Sequence, residues 1–177
     1  MKKILAIAAA LLLVLSLSVA VADDPIEINW ADYSQMAASL NLGNNFVTLN
    51  NLALKVWMPD TFIEFPVDKD LADQGITSMY STQDGEAGMI VALVEGKLNN
   101  VYDLPNVFAD KNLQDQEFVT LNDFEAFSYT MAGKPEDQYI DFVSEEGSLI
   151  EFLFYPANDE KMGKVLQLMA ASIQDAE

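Results

Sequence analysis

The first 22 residues decide how much of this 177-residue chain is available to fold. Lys2 and Lys3 precede an unbroken apolar run from Ile4 to Leu15. A softer stretch follows from Ser16 to Val21, and Ala20-Val21-Ala22 stand directly before Asp23-Asp24. A charged start, an apolar middle and small residues three and one before an acidic beginning are the pattern of a secretory signal peptide. The chain therefore divides into a leader, 1–22, and a single globular domain, 23–177, that works secreted or in the cell envelope. Ile4 to Val21 is near the lower limit for a membrane span. The fit of Ala20 and Ala22 to a signal peptidase favours cleavage, after which no stable membrane insertion is expected.

A folded unit of about 150 residues buries roughly 70% of its unfolded surface, enough for one core. It has to do so by packing alone, because the chain contains no cysteine and so forms no disulfide. Aromatic and aliphatic residues recur throughout the domain, which excludes a disordered chain. All nine basic residues are Lys, against 28 Asp and Glu, for a net charge of −19, and two of the lysines sit in the leader. Such a surface keeps the domain soluble and repels nucleic acid and anionic membranes, which need a basic footprint. It attracts cations or a basic partner over about a Debye length, ~8 Å at physiological salt.

Trp30, Tyr33, Met36, Ala37 and Leu40 recur at helical spacing and predict a helix over Ala31–Leu40, closed by Asn41 and Gly43. Two β-rich runs, Phe46–Leu49 and Leu52–Trp57, flank Asn50-Asn51 and read as a hairpin. Strands are also expected at Phe62–Val67, Thr77–Ser81 and Met89–Val94, the last placed centrally because it is nearly all apolar. Asp103 with Pro105 suggests a short helix. Strands Glu117–Leu121, Phe124–Met131, Gln138–Val143 and Ser148–Tyr155 follow, the first two joined at Asn122-Asp123, with a loop over Gly133–Asp137 before the third. Met162, Val165, Leu166, Met169 and Ile173 form the clearest stripe, a helix from Asp159 to about Gln174 capped by Asn158 and packed on the sheet. Phe46–Asn51 also echoes Phe118–Asp123. That echo reads either as two hairpins with similar turn chemistry or as a duplicated helix-plus-sheet unit.

The absent residue types exclude most chemistry. Without His there is no histidine base, no Ser-His-Asp triad and no imidazole ligand. Without Cys there is no thiol nucleophile and no thiolate metal site, and without Arg no bidentate anion clamp. No glycine-rich nucleotide motif occurs. A carboxylate enzyme would need two acids across a cleft, and Trp30 and Trp57 could stack on sugars, yet a chain this small has little material for a long cleft. The chain is therefore expected not to be an enzyme and to need no cofactor. Asp68, Asp70 and Asp73 before Gly75 put three carboxylates in one short segment and make calcium the candidate metal, since Ca²⁺ prefers oxygen ligands.

Two stretches resemble a known family. Leu52–Phe62, with Trp57-Met58-Pro59-Asp60, is similar to the early strand of the PsbP family of extrinsic photosystem proteins and of its relative, the Mog family. The order Met89–Glu95, helix after Asp103, three strands and a closing helix ending Ala171-Ser172-Ile173 resembles the rest of that fold, over about residues 45–174. The resemblance implies an α+β protein, an antiparallel sheet flanked by helices in an α/β/α sandwich, with the C-terminal helix on the sheet. It carries no functional residues. The internal echo is similar instead to the repeated unit of the beta-lactamase inhibitory protein, whose disulfides this chain lacks. Three roles follow: a secreted non-catalytic binding domain for a protein or cationic ligand, a calcium-binding extracytoplasmic domain, or an inhibitor-like protein with a duplicated unit.

Overall fold

The computed structural model describes residues 25–176. The leader and its cleavage point lie outside the described residues. In chain order the elements are β1 (Ile26–Ile28), α1 (Trp30–Ser39), β2 (Asn45–Thr48), β3 (Leu54–Met58), β4 (Phe62–Phe65), α2 (Lys69–Ala72), β5 (Ile76–Thr82) and β6 (Gly88–Val94). A 3₁₀ turn (Val101–Asp103) runs into α3 (Leu104–Val107). Then come β7 (Leu113–Leu121), β8 (Phe124–Met131), β9 (Lys134–Val143), β10 (Leu149–Tyr155), α4 (Met162–Ala171) and β11 (Gln174–Asp175).

Eight strands form one twisted sheet in the order β1-β7-β8-β9-β10-β6-β5-β4, and β11-β3-β2 form a second, small sheet. Every neighbouring pair is antiparallel except β1 and β7, whose partners Ile26–Val119 to Ile28–Leu121 run parallel. The large sheet is thus mixed, a correction to the purely antiparallel expectation. Alternation of side chains along the strands sends Ala126, Ile140, Phe142, Phe152, Phe154, Met89 and Val91 to one face. There they meet Leu166, Met169 and Ile173 and the small sheet's Val56 and Trp57 in the main core. The opposite face carries Phe127, Tyr129 and Tyr139, covered by Val101, Leu104 and Phe108. One face is therefore layered by α4, α1 and the small sheet, and the other by less than two turns of helix. The sandwich of two helical layers holds only on the first face.

Local chemistry explains where the expected elements shifted. The Phe46 hairpin is wider than an Asn-Asn turn, because Leu49 N–H bonds Leu54 O at 2.9 Å and leaves Leu52 in the loop. The expected loop over 133–137 is strand: Ala132-Gly133 make the turn, and Gly133 takes φ 86°. Asp103 holds the N-cap position of α3 with Pro105 in its first turn, but its side chain makes no cap bond there. A 3₁₀ turn precedes it, capped by Asn100, which accepts Tyr102 N–H at 3.0 Å. Asp159, not Asn158, caps α4, accepting Met162 N–H at 2.6 Å and Lys161 N–H at 3.0 Å. The helix also stops at Ala171 rather than Gln174, because Ser172 turns the chain so that β11 pairs β3.

The duplicated-unit reading is also corrected. Phe46–Thr48 lie in the small sheet, while Phe118–Leu121 lie in the large sheet between β1 and β8. What the two segments share is turn chemistry: Asn51, Asn122 and Asp123 all take positive φ, which Asn and Asp tolerate best among non-glycine residues. Trp57 sits at 0% exposure, with its indole N–H donating to Gly43 O at 3.1 Å. It is a packing residue and offers no sugar platform.

Candidate functional site

A cleft of about 370 Å³ opens between the large sheet and α4. Its floor is apolar: Ile140 from β9, Phe154 from β10, and Leu166 and Ala170 from α4. The wall is polar. Asp115 stands where the β7–β8 register shifts between Gln114 and Glu117, and φ of 50° at this bulge turns it toward the cleft. Thr130 Oγ1 on β8 donates to Asp115 Oδ2 at 3.0 Å. Gln138 on β9 donates its Nε2 to Ser128 Oγ at 2.8 Å and to Tyr129 O at 3.0 Å. Gln167 on α4 buries its Oε1 with no partner among the described residues.

The mouth is shaped by the segment between β10 and α4. Ala157 N–H bonds Glu136 O at 2.7 Å and holds this segment on the start of β9. Gly163 lets the first turn of α4 come close, since a Cβ there would overlap Ala157 O. Asn158 sits exposed at the rim. The dimensions suit a small molecule, as ligand sites of this type are mostly apolar with a few placed polar groups.

The other face of the same strands holds a feature that composition alone did not isolate. Asp141 on β9 and Glu151 on β10 are direct cross-strand partners. Asp141 is at 0% exposure, and neither of its oxygens has a hydrogen-bond partner among the described residues. Tyr129 donates its hydroxyl to Glu151 Oε2 at 3.3 Å, and its ring stacks on Tyr139 at 5.1 Å. Burial, then the Glu151 charge, pushes the Asp141 carboxyl up to about 8, against the smaller opposing pull of the Tyr129 hydroxyl and the Lys111 ammonium. Burial likewise raises Glu151, and it drives the Tyr129 hydroxyl far above its ordinary value. Neither acid lines the cleft. The sequence did carry a signal: Tyr139 and Val143 share the strand face of Asp141, and Ile140 and Phe142 make the other face apolar as well. This is the pattern of a strand covered on both sides, with Asp141 the one acid among these five residues.

Asp68, Asp70 and Asp73 fall on the single turn of α2 and its caps. Asp68 accepts Leu71 N–H at 3.0 Å as the N-cap, and Asp73 pairs with Lys69 at 3.1 Å. Two of the three carboxylates are thus turned to the backbone and to a lysine. No group of three His, Cys, Asp or Glu among the described residues is placed to hold a metal ion. The melting temperature is accordingly expected to stay within about 1 °C when millimolar Ca²⁺ replaces EDTA, since only an ion bound by the native state stabilises it. Differential scanning fluorimetry checks this, and a rise of several degrees would return α2 to candidacy.

A sheet of this order, layered on one face by the C-terminal helix and a small accessory sheet, defines a PsbP-like fold. The structure superposes on the solution structure of cyanobacterial PsbP (CyanoP) from Synechocystis sp. PCC 6803. The TM-score is 0.53 and the identity 12%, over 74% of this chain and 91% of that one. At that identity the likeness concerns the fold. No protein family matches the sequence, and no curated protein does so either. No helix among the described residues is long and apolar enough to cross a membrane.

Proposed function

We propose that this protein is an exported, non-catalytic binding domain whose ligand seat is the cleft between β8–β9 and α4. The observation that carries the reading is the cleft's construction: an apolar floor of about one small ligand's size beside a polar wall of Asp115, Thr130 and Gln138. Export rests on the leader pattern at 1–22. The absence of catalysis rests on the residue types at the cleft, where Asp115 is the one ionisable side chain and no second acid stands across from it. The paired acids that do exist, Asp141 and Glu151, lie on the opposite face of the sheet and outside the cleft, Asp141 fully buried.

A ligand-observed NMR screen with a chemically diverse fragment set tests the seat. Hits are expected to shift amides near residues 115, 138, 157 and 167. They should weaken at least several-fold in Asn158→Trp, which puts an indole over the mouth from an exposed position and so spares the fold. Hits that map to another surface, or that bind Asn158→Trp equally well, would show that the cleft is not the binding site.

A further inference from the structure

The cleft presents hydrogen-bond acceptors and no cation. Gln138 shows this most directly. Its Nε2 is held by Tyr129 O, which can only accept, and by Ser128 Oγ, so the amide nitrogen is turned into β8 and Oε1 is the end left over. That oxygen accepts no hydrogen bond among the described residues. Gln167 Oε1 is also unmatched, but it is buried in the wall behind the cleft surface and is not offered to a ligand. The Thr130 hydroxyl spends its one proton on Asp115 Oδ2, and Asp115 is the only charged side chain lining the cleft among the described residues. Asn158 can donate, but it lies exposed at the rim where water satisfies it.

From this polarity we infer that the cleft binds a primary ammonium group carried on a short aliphatic body. The inference rests on the cleft being the binding seat. An ammonium brings three donors and no acceptor, matching the Gln138 carboxamide oxygen and the Asp115 carboxylate. Its aliphatic part covers Ile140, Phe154, Leu166 and Ala170. A carboxylate or phosphate would face the Gln138 oxygen and the Asp115 carboxylate with no cation among the described lining residues, inside a chain whose net charge is −19. The surrounding field adds attraction for the cation before contact.

The test is an NMR titration of the protein with n-hexylammonium, n-hexanol and hexanoate, which share a chain length and differ in the head group. Hexylammonium is expected to saturate shifts near residues 115, 130, 138 and 167 at least tenfold more tightly than hexanol, while hexanoate does not saturate. Nα-acetyl-lysine methylamide separates the sources. Saturation at the same residues assigns the ammonium to a lysine of a polypeptide, and binding of hexylammonium alone assigns it to a free amine. Asp115→Asn keeps the shape, and Asn tolerates the left-handed backbone of this position. It should weaken hexylammonium about three- to tenfold and leave hexanol unchanged, a modest factor because Asp115 is exposed. Hexanol or hexanoate binding as tightly as hexylammonium at these residues would overturn the ammonium assignment and leave the cleft standing as a seat. If no compound perturbs them, both fall.

Discussion

Thermal unfolding is expected to shift upward by of order 10 °C as the buffer goes from pH 8 to pH 5. The group responsible is Asp141, fully buried beside Glu151 with no hydrogen bond of its own. Its folded-state pKa is raised from 3.8 to about 8. Between those two values the native state holds a proton that the unfolded chain has released, so stability falls as pH rises by about 1.4 kcal/mol per pH unit. Three pH units then correspond to roughly 4 kcal/mol, and a domain of this size moves about 2–4 °C for each kcal/mol. Glu151 and Glu117, both raised by burial, act in the same direction. Asp84, Asp103 and Asp159 are lowered by hydrogen bonds and act oppositely, below about pH 4. Maximum stability is therefore expected near pH 4–5. Lys111 is the cation that acts on the pair, and Tyr129 and Tyr139 are the other titratable groups facing it. In Asp141→Asn the pH 5–8 slope should flatten, and the variant should melt above the parent at pH 8, where the parent buries a charge. A melting temperature flat over pH 5–8 in the parent would refute this account.

Asn122→Ala is expected to destabilise the protein by about 2–4 kcal/mol, a fall of roughly 5–15 °C in melting temperature. Asn122 lies in the two-residue turn between β7 and β8, at φ 46°. Its Oδ1 accepts Trp30 N–H at 2.6 Å and so caps α1, whose own N-cap residue Asn29 makes no side-chain bond. Its Nδ2 donates to Ala171 O at 2.8 Å and Ile173 O at 2.7 Å, at the end of α4. One side chain thus ties the first helix, the β7–β8 hairpin and the end of the last helix together. Removing it leaves a helix-start donor and two carbonyls unmatched and puts Ala in a left-handed conformation. Asn122→Asp is the informative companion. It keeps the cap to Trp30 but sets a carboxylate oxygen against the Ala171 and Ile173 carbonyls. It should therefore lose at least as much stability as Ala at neutral pH and recover part of it in acid, where a protonated carboxyl can donate. Equal stability of the parent and Asn122→Ala in denaturant unfolding would contradict the bridging role.

These two residues show how the two levels of information divide. Asn122 was legible as a hairpin turn because Asn-Asp at the end of a β-rich run has a local meaning. Its partners on α1 and α4 lie about 50 to 90 residues away in sequence and leave no local trace. Asp141 was legible as one residue of an apolar strand. That it faces Glu151 depended on the β9–β10 register, which pairs the two directly. The same limit hid the cleft, since Asp115, Gln138 and Gln167 come from three elements that only packing brings to one wall.

By itself the sequence carried the leader-like pattern at 1–22, an acidic composition with no cysteine for a disulfide, the type of most elements and the lack of His, Cys and Arg. Those properties depend on composition and on periodicity within about ten residues, where side-chain spacing alone selects helix or strand. The tertiary structure decided the parallel seating of β1 on β7, the separation of a small sheet from the large one, the single layered face, the cleft under α4 and the pairing of buried Asp141 with Glu151. Each of those depends on which distant strand edge or helix face fills a given space. Many pairings would satisfy the local hydrogen bonds equally well, and close packing of the whole core selects among them.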